Sequence, residues 1–207
     1  MIKAFLFDLD GVFFVDNHII PGGDIAIEWL KQNKIPYKFI TNNTTLPRKM
    51  LVEKLNRIGL IIKEDELISA NYAGTLLLKK LGLKSCKLVL REIAKIDYQK
   101  FDTSNSKPQA VVIGDIGPNW DYKLMNDLMN LILDGAKLIA LHKGTYFQSK
   151  KGLIIDSGAF VAGLEYSTQT NAIIVGKPEK PFFELATQNF KCKVNEIAMV
   201  GDDLIND

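Results

Sequence analysis

Four polar clusters in this 207-residue chain carry side chains that could do chemistry together: Asp8 with Asp10, Thr41-Asn42-Asn43, Lys177, and Asp202-Asp203. Carboxylates supply metal ligands and a nucleophile, a hydroxyl and amides supply hydrogen-bonding groups, and a lysine supplies positive charge. Asp8 and Asp10 are two residues apart, so on extended backbone both side chains point to the same side. Carboxylates that close repel unless a proton or cation lies between them. Magnesium is the natural hard cation for carboxylate, carbonyl and water oxygens. Gly11 lets the chain turn sharply just beyond the pair. Each cluster also has a plainer reading. The aspartates are common turn residues, Thr41 could serve as a cap or turn hydroxyl, and a lone lysine is usually solvated. The joint reading is favoured because the four clusters recur in order, each at the end of a strand.

The elements that must position them alternate along the chain. Ile2 to Leu9 is an apolar run that reads as a buried strand, and Tyr37 to Thr41 reads as a second. Between them Ala26, Trp29 and Leu30 form the apolar stripe of a helix. Leu51, Leu55 and Ile58 mark the next helix, opened near Pro47, with Thr44 or Thr45 as the capping hydroxyl, and closed at Gly59. Ala73, Leu77 and Leu81 mark another. Strands follow at 87–90, 110–113 and 137–141, with helices around Leu124–Ile132 and from Gly158. A strand at 172–175 precedes Gly176-Lys177-Pro178 and is read as the return to the first sheet. The last strand, 197–200, precedes Gly201-Asp202-Asp203. Such alternation predicts an α/β protein built on parallel sheet, whose ligands bind at the carboxyl ends of the strands.

Composition bounds the alternatives. Hydrophobic residues make up 47% and charged residues 24%, which fits a globular chain and not a disordered or collagenous one. A net charge of +2 is too balanced to point to nucleic acid or an acidic membrane surface. Two cysteines, Cys86 and Cys192, cannot carry a disulfide framework, and a reducing cytoplasm is the expected compartment. No apolar run reaches the roughly 18 residues of a membrane helix, and the start leaves no room for a signal peptide.

Taken together, Asp8-Leu9-Asp10-Gly11-Val12, Thr41-Asn42-Asn43, Gly176-Lys177-Pro178, and Gly201-Asp202-Asp203 with Asp207 resemble the four motifs of the haloacid dehalogenase superfamily. The order and spacing resemble its phosphatase branch with a large α/β cap. Within that branch the chain resembles the phospholysine phosphohistidine inorganic pyrophosphate phosphatase group, with Phe101-Asp102-Thr103-Ser104-Asn105 and Leu164-Glu165-Tyr166 adding to the match. The resemblance implies a Rossmann-like parallel-sheet core over 1–70 and 173–207 and an inserted α/β cap over 71–172 that closes over the site. It implies a magnesium-dependent phosphatase that hydrolyses a small phosphorylated substrate through an aspartyl-phosphate. Asp8 would be the nucleophile, and Asp10 the acid and then the base. Thr41, Asn42 and Lys177 would hold the phosphate. Mg2+ would be bound by Asp8, the Asp10 carbonyl and Asp202, with Asp203 or Asp207 outside them. Asp115, Trp120 and Tyr122 of the cap would shape substrate choice, although Trp120 reads equally well as a packed aromatic. Dimerisation through the cap is common in the family and allows a homodimer here.

Alternatives remain open at this level. The substrate could be a phosphoamide or pyrophosphate, a nucleotide or phosphoglycolate, or the chain could be a phosphate-binding scaffold without turnover. Members of the phospholysine group often carry Ser where this chain has Asp10, which favours ordinary phosphate esters. The family also continues beyond its fourth motif with a helix and a strand, so a chain ending at Asp207 reads as a core cut off there, with 197–200 as an exposed edge. His18 and His142 are given no catalytic role. Cys86 and Cys192 read as structural thiols, Trp29 as core, and Ser149-Lys150-Lys151-Gly152 as a solvated turn.

Overall fold

A computed structural model describes residues 1–15, 18–149, 152–204 and 206–207. The chain runs β1 (Ala4–Phe7), β2 (Phe14–Val15), β3 (His18–Ile19), α1 (Gly23–Gln32), β4 (Tyr37–Thr41), α2 (Arg48–Arg57), β5 (Leu67–Ser69) and α3 (Ala70–Lys80). It continues β6 (Cys86–Val89), β7 (Ala110–Ile113), α4 (Tyr122–Leu133), β8 (Lys137–Ala140), β9 (Tyr146–Ser149), β10 (Gly152–Ile155) and α5 (Ser157–Thr168). It closes with β11 (Ile173–Ile174), α6 (Lys180–Thr187) and β12 (Ile197–Val200). These elements divide into two compact units. One comprises Met1–Asn42, Arg48–Ser69 and Lys177–Asp207, and the other Asn43–Pro47 and Ala70–Gly176. Lys150 and Lys151 of the turn expected from the sequence lie outside the described residues.

The first unit holds a parallel sheet in the order β12-β1-β4-β5. β1 is central and reads as a continuous apolar run because a parallel strand is covered on both faces. Ala4, Leu6 and Phe7 are buried accordingly. Phe7 lies opposite Val200 on one side and Phe39 on the other, and Thr41 lies opposite Ser69. One edge therefore carries the carboxyl ends of all four strands. Phe7, Phe13 and Phe39 close the core beside it through edge-on and tilted ring contacts at 5.1–6.0 Å. In α1 the buried residues are Ile27 and Leu30, so of the stripe expected from sequence only Leu30 faces the core. Trp29 is 55% exposed, and Ala26 is exposed too. Both stripes satisfy helical spacing, and which one faces the sheet depends on how the helix is rolled, which periodicity alone leaves undetermined.

The second unit has its own parallel sheet, in the order β11-β8-β7-β6, and an antiparallel hairpin, β9–β10. β11 pairs with β8, so the strand read as a return to the first sheet completes the second one instead. Val111, Ile113, Leu128, Leu138, Val161 and Leu164 build the core where α4 and α5 cover this sheet. Asp121 caps α4 by accepting a hydrogen bond from the Leu124 N–H at 2.7 Å. Thr44 does not cap α2. Its hydroxyl accepts from the Asp115 N–H instead, while the Asn43 carboxamide oxygen takes the N–H groups of Thr45 and Leu46. Among the described residues, no helix is long and apolar enough to cross a membrane.

Candidate active site

β1 delivers Asp8 directly beyond its last residue, Phe7. The Asp8 N–H still donates to the Val200 carbonyl at 2.9 Å, which holds the first residue past the strand in ladder geometry. Leu9 is buried, and its carbonyl accepts from the Phe13 N–H at 2.9 Å, so the chain turns back at once. Gly11 makes that turn with φ 75°, and a Cβ there would run into the Asp202 carboxylate. Both the backbone conformation and the space demand glycine. The turn brings the strand end of β1 against the loop after β12.

That loop supplies Asp202 and folds Asp207 back. The Asp207 N–H donates to the Asp203 carbonyl at 2.9 Å, and the Asp203 N–H donates to the Asp207 carboxylate at 3.2 Å. Asp203 spends its own carboxylate on Asn206, accepting from its backbone N–H and its amide. A Cβ at Gly201 would collide with Asp207, so this approach too needs the missing side chain. As a result one carboxylate oxygen from each of Asp8, Asp202 and Asp207 lies within 4.8 Å of the others.

Lys177 closes the other side. Its ammonium lies 2.8 Å from Asp8 Oδ1 and is also paired with Asp207. Lys177 is 4% exposed and Asp8 8%, so both charges are largely out of water. Asn42, the residue after β4, fixes the lysine from below: its amide donates to the Lys177 carbonyl at 3.0 Å and its oxygen accepts the Lys177 N–H at 2.8 Å. The side chain expected at the phosphate therefore grips the Lys177 backbone. Thr41 ends β4 and is buried at the same edge.

The charges do not balance. The cluster holds three carboxylates and one ammonium, which pairs with two of them. Burial pushes the Asp8 carboxyl up to about 6 against the pull of Lys177, with Asp207 adding to the rise. Burial also raises Asp10, opposed by Lys54 and Lys177. The Asp10 side chain nevertheless reaches solvent, at the rim of the cluster. The surplus negative charge, borne by hard oxygen donors only, fits a divalent cation of the magnesium kind.

The cap residues expected from the sequence all lie in the second unit. Asp115 follows β7 and is tied to Arg91, Gly117 and Thr44. Trp120 stacks on Phe160 with centroids 4.3 Å apart and rings within 5° of parallel, against the core. Tyr122 opens α4 and is exposed. Asp203 or Asp207 is expected from the sequence just outside the metal ligands, and of the two it is Asp207 that lies in the cluster. Sequence reasoning did not foresee that Asn42 clamps Lys177.

A buried, lysine-paired aspartate thus stands at the carboxyl edge of a parallel sheet in an α/β protein, with further carboxylates beside it. A family model for haloacid dehalogenase-like hydrolases matches residues 5–101, and a further HAD-hydrolase-like model matches 174–207. Haloacid dehalogenase-like hydrolase domain-containing protein 2 of Bos taurus is 37% identical over 206 residues, covering 100% of this chain and 78% of the relative. The human phospholysine phosphohistidine inorganic pyrophosphate phosphatase is 32% identical over 212 residues, covering 100% and 77%. The crystal structure of a 4-nitrophenylphosphatase from Thermotoga maritima superimposes with a TM-score of 0.88 at 27% identity, covering 100% and 80%. The chain belongs to the haloacid dehalogenase-like hydrolase family.

Proposed function

We propose that this hydrolase is a magnesium-dependent phosphatase that cleaves small phosphate monoesters through an aspartyl-phosphate on Asp8. The observation that carries the reading is the buried Asp8–Lys177 pair at 2.8 Å inside a carboxylate cluster. Lysine holds one oxygen of the nucleophile and leaves the other for attack. Two ion pairs use two of the three ammonium N–H groups, and the third donates to a phosphoryl oxygen. Thr41 adds a hydroxyl at the same edge, and Asn42 keeps the lysine in place from behind.

The Asp8 carboxylate attacks phosphorus while the bond to the leaving oxygen breaks, and Asp10 gives that oxygen its proton. Burial raises the Asp10 carboxyl, which suits an acid that must hold its proton until this step. Asp10, now ionised, takes a proton from water as the water attacks the phosphorus. The acyl-phosphate bond then breaks, and phosphate and the Asp8 carboxylate are restored. Asp8, Asp202 and the Asp10 carbonyl would hold the magnesium ion, with Asp207 alongside. When bound, the ion supplies positive charge that offsets the repulsion between a carboxylate and a dianionic phosphate. The second unit acts as the cap that selects the substrate.

Asp10 supports esters as the substrate class, because an alkoxide leaving group needs an acid. The relative named for phospholysine, phosphohistidine and pyrophosphate makes those compounds the second set to assay. The test is turnover of p-nitrophenyl phosphate with magnesium and with a chelator, in the parent and in Asp8→Asn. Magnesium-dependent turnover that disappears in the variant supports the reading. Folded protein that binds phosphate without turnover is a scaffold, and the reading is then wrong.

A further inference from the structure

The second sheet has a carboxyl edge of its own, and it carries a row of titratable groups in register. Val89, Ile113 and Ala140 lie directly opposite one another on β6, β7 and β8. The ladder runs one step further, with the Gly114 N–H donating to Val89 and the Leu141 N–H to Ile113. The next residues outward are Arg91, Asp115 and His142, each two positions past its strand. On a parallel α/β sheet this is where ligands bind.

The three are not equivalent. The His142 ring is buried, and its Nδ1 accepts from the Gly144 N–H at 3.2 Å. Its proton is thus on Nε2, 3.4 Å from the Ser157 hydroxyl. This histidine ties the loop after β8 to the start of α5. Asp115 is equally committed: one carboxylate oxygen accepts the Gly117 N–H at 2.7 Å, the other meets Arg91 Nη2 at 2.5 Å, and its own N–H donates to Thr44. Arg91 differs from both. Its side chain is 48% exposed, and the pair with Asp115 uses one of its five N–H groups. An ordinary surface ion pair joins two flexible side chains, as Lys123 and Asp127 do on α4. Here the carboxylate is anchored by its own loop, so the guanidinium is held in one orientation with donors to spare. Such a planar fork matches the oxygens of a carboxylate or phosphate.

From this geometry we infer that the carboxyl edge of the second sheet is a small-anion site. Arg91 binds the carboxylate or phosphate group of a small molecule, and Asp115 is the residue that positions Arg91. The site stands independently of the chemistry at Asp8, so the two can fail separately.

The full chain is titrated with benzoate and, separately, with phenylphosphonate, neither of which can be hydrolysed by a phosphatase. Resonances of the Arg91 side-chain N–H and of the Asp115 and Gly117 amides are followed by NMR. Saturable shifts at these groups are expected, and the tighter of the two probes identifies the anion as carboxylate or phosphate. Arg91→Lys keeps the charge but loses the fork, and with an otherwise native spectrum it weakens binding at least tenfold. Asp115→Asn, which frees Arg91 from its anchor, weakens binding in the same direction. The inference is overturned if those resonances do not saturate, if Arg91→Lys binds equally well, or if the shifts are confined to the neighbourhood of Asp8 and Lys177. Turnover of p-nitrophenyl phosphate, measured in the parent, reports on the phosphatase reading alone.

Discussion

The two parallel sheets of this protein end alike and use their ends differently. At the first, the loops converge: Asp8, Asp202 and Asp207 crowd around one another, and a single lysine pairs with Asp8 and Asp207. At the second, the charges pair off one to one, Arg91 with Asp115 and Lys143 with Glu165 at 2.5 Å each. Each of these pairs is neutral in charge and ties a loop, although Arg91 keeps donors to spare. A cluster with surplus negative charge costs stability until a cation enters, and such perturbed groups gather at active sites. The contrast teaches that strand-end position alone does not make a catalytic centre. What matters is whether the charges that gather there leave a surplus.

Breaking the surplus has the largest effect. Asp8→Asn lowers the kcat/KM for p-nitrophenyl phosphate on the order of 10³-fold or more, measured by steady-state kinetics, while the melting profile stays cooperative. Any smaller loss would place the nucleophile elsewhere. Lys177→Met leaves Asp8 and Asp207 without their cation and destabilises the first unit by about 3 kcal/mol in urea unfolding. If magnesium fits the cluster, adding it recovers part of that loss. Gly11→Ala strains a positive-φ turn and drives a methyl group into Asp202, at a cost of about 1–3 kcal/mol, and turnover falls with it. At the second edge Lys143→Met removes a partly exposed pair and costs about 1 kcal/mol or less by the same measurement. A loss as large as that for Lys177 would erase the distinction between the two edges.

The smallest effect is a pH dependence in the second unit. Burial lowers the His142 pKa below its ordinary value of 6.5, against the pull of Asp156 at 3.6 Å and of Asp115. A depressed folded-state pKa means that the unfolded chain takes up the proton first. The contribution is therefore complete above about pH 6.5 and is lost as pH falls through the lower, folded value. The difference in stability between parent and His142→Asn should shrink as pH drops from 7 to 5. A difference that grows instead would mean that the imidazole is charged in the folded protein.

Much of this was legible in the residues. Apolar runs of four or five residues ending in Asp8, Asn42, Asp115 and Gly201 mark strands because a covered parallel strand has no polar face. The Asp-x-Asp-Gly pair announces itself because two carboxylates and a glycine within four positions make a turn with charge at its tip. Other features were not legible, for physical reasons. Trp29 and Ala26 fit a helical stripe as well as Ile27 and Leu30 do, and only packing against the sheet chose between them. Ile173–Ile174 is a two-residue strand too short to carry a pattern that names its partner, and it pairs with β8.

Sequence by itself determined the sheet-and-helix alternation and the chemical types at the strand ends, because both depend on near neighbours and on the hydrophobic period. The tertiary structure decided which of those types meet. Asn42 grips Lys177 across 135 positions, and Lys177 reaches Asp8 across a longer span and Asp207 across 30. Asp115 takes Arg91 from a neighbouring strand. Such meetings follow from strand order and register, which arise when separate apolar faces are buried together, and no local pattern records them.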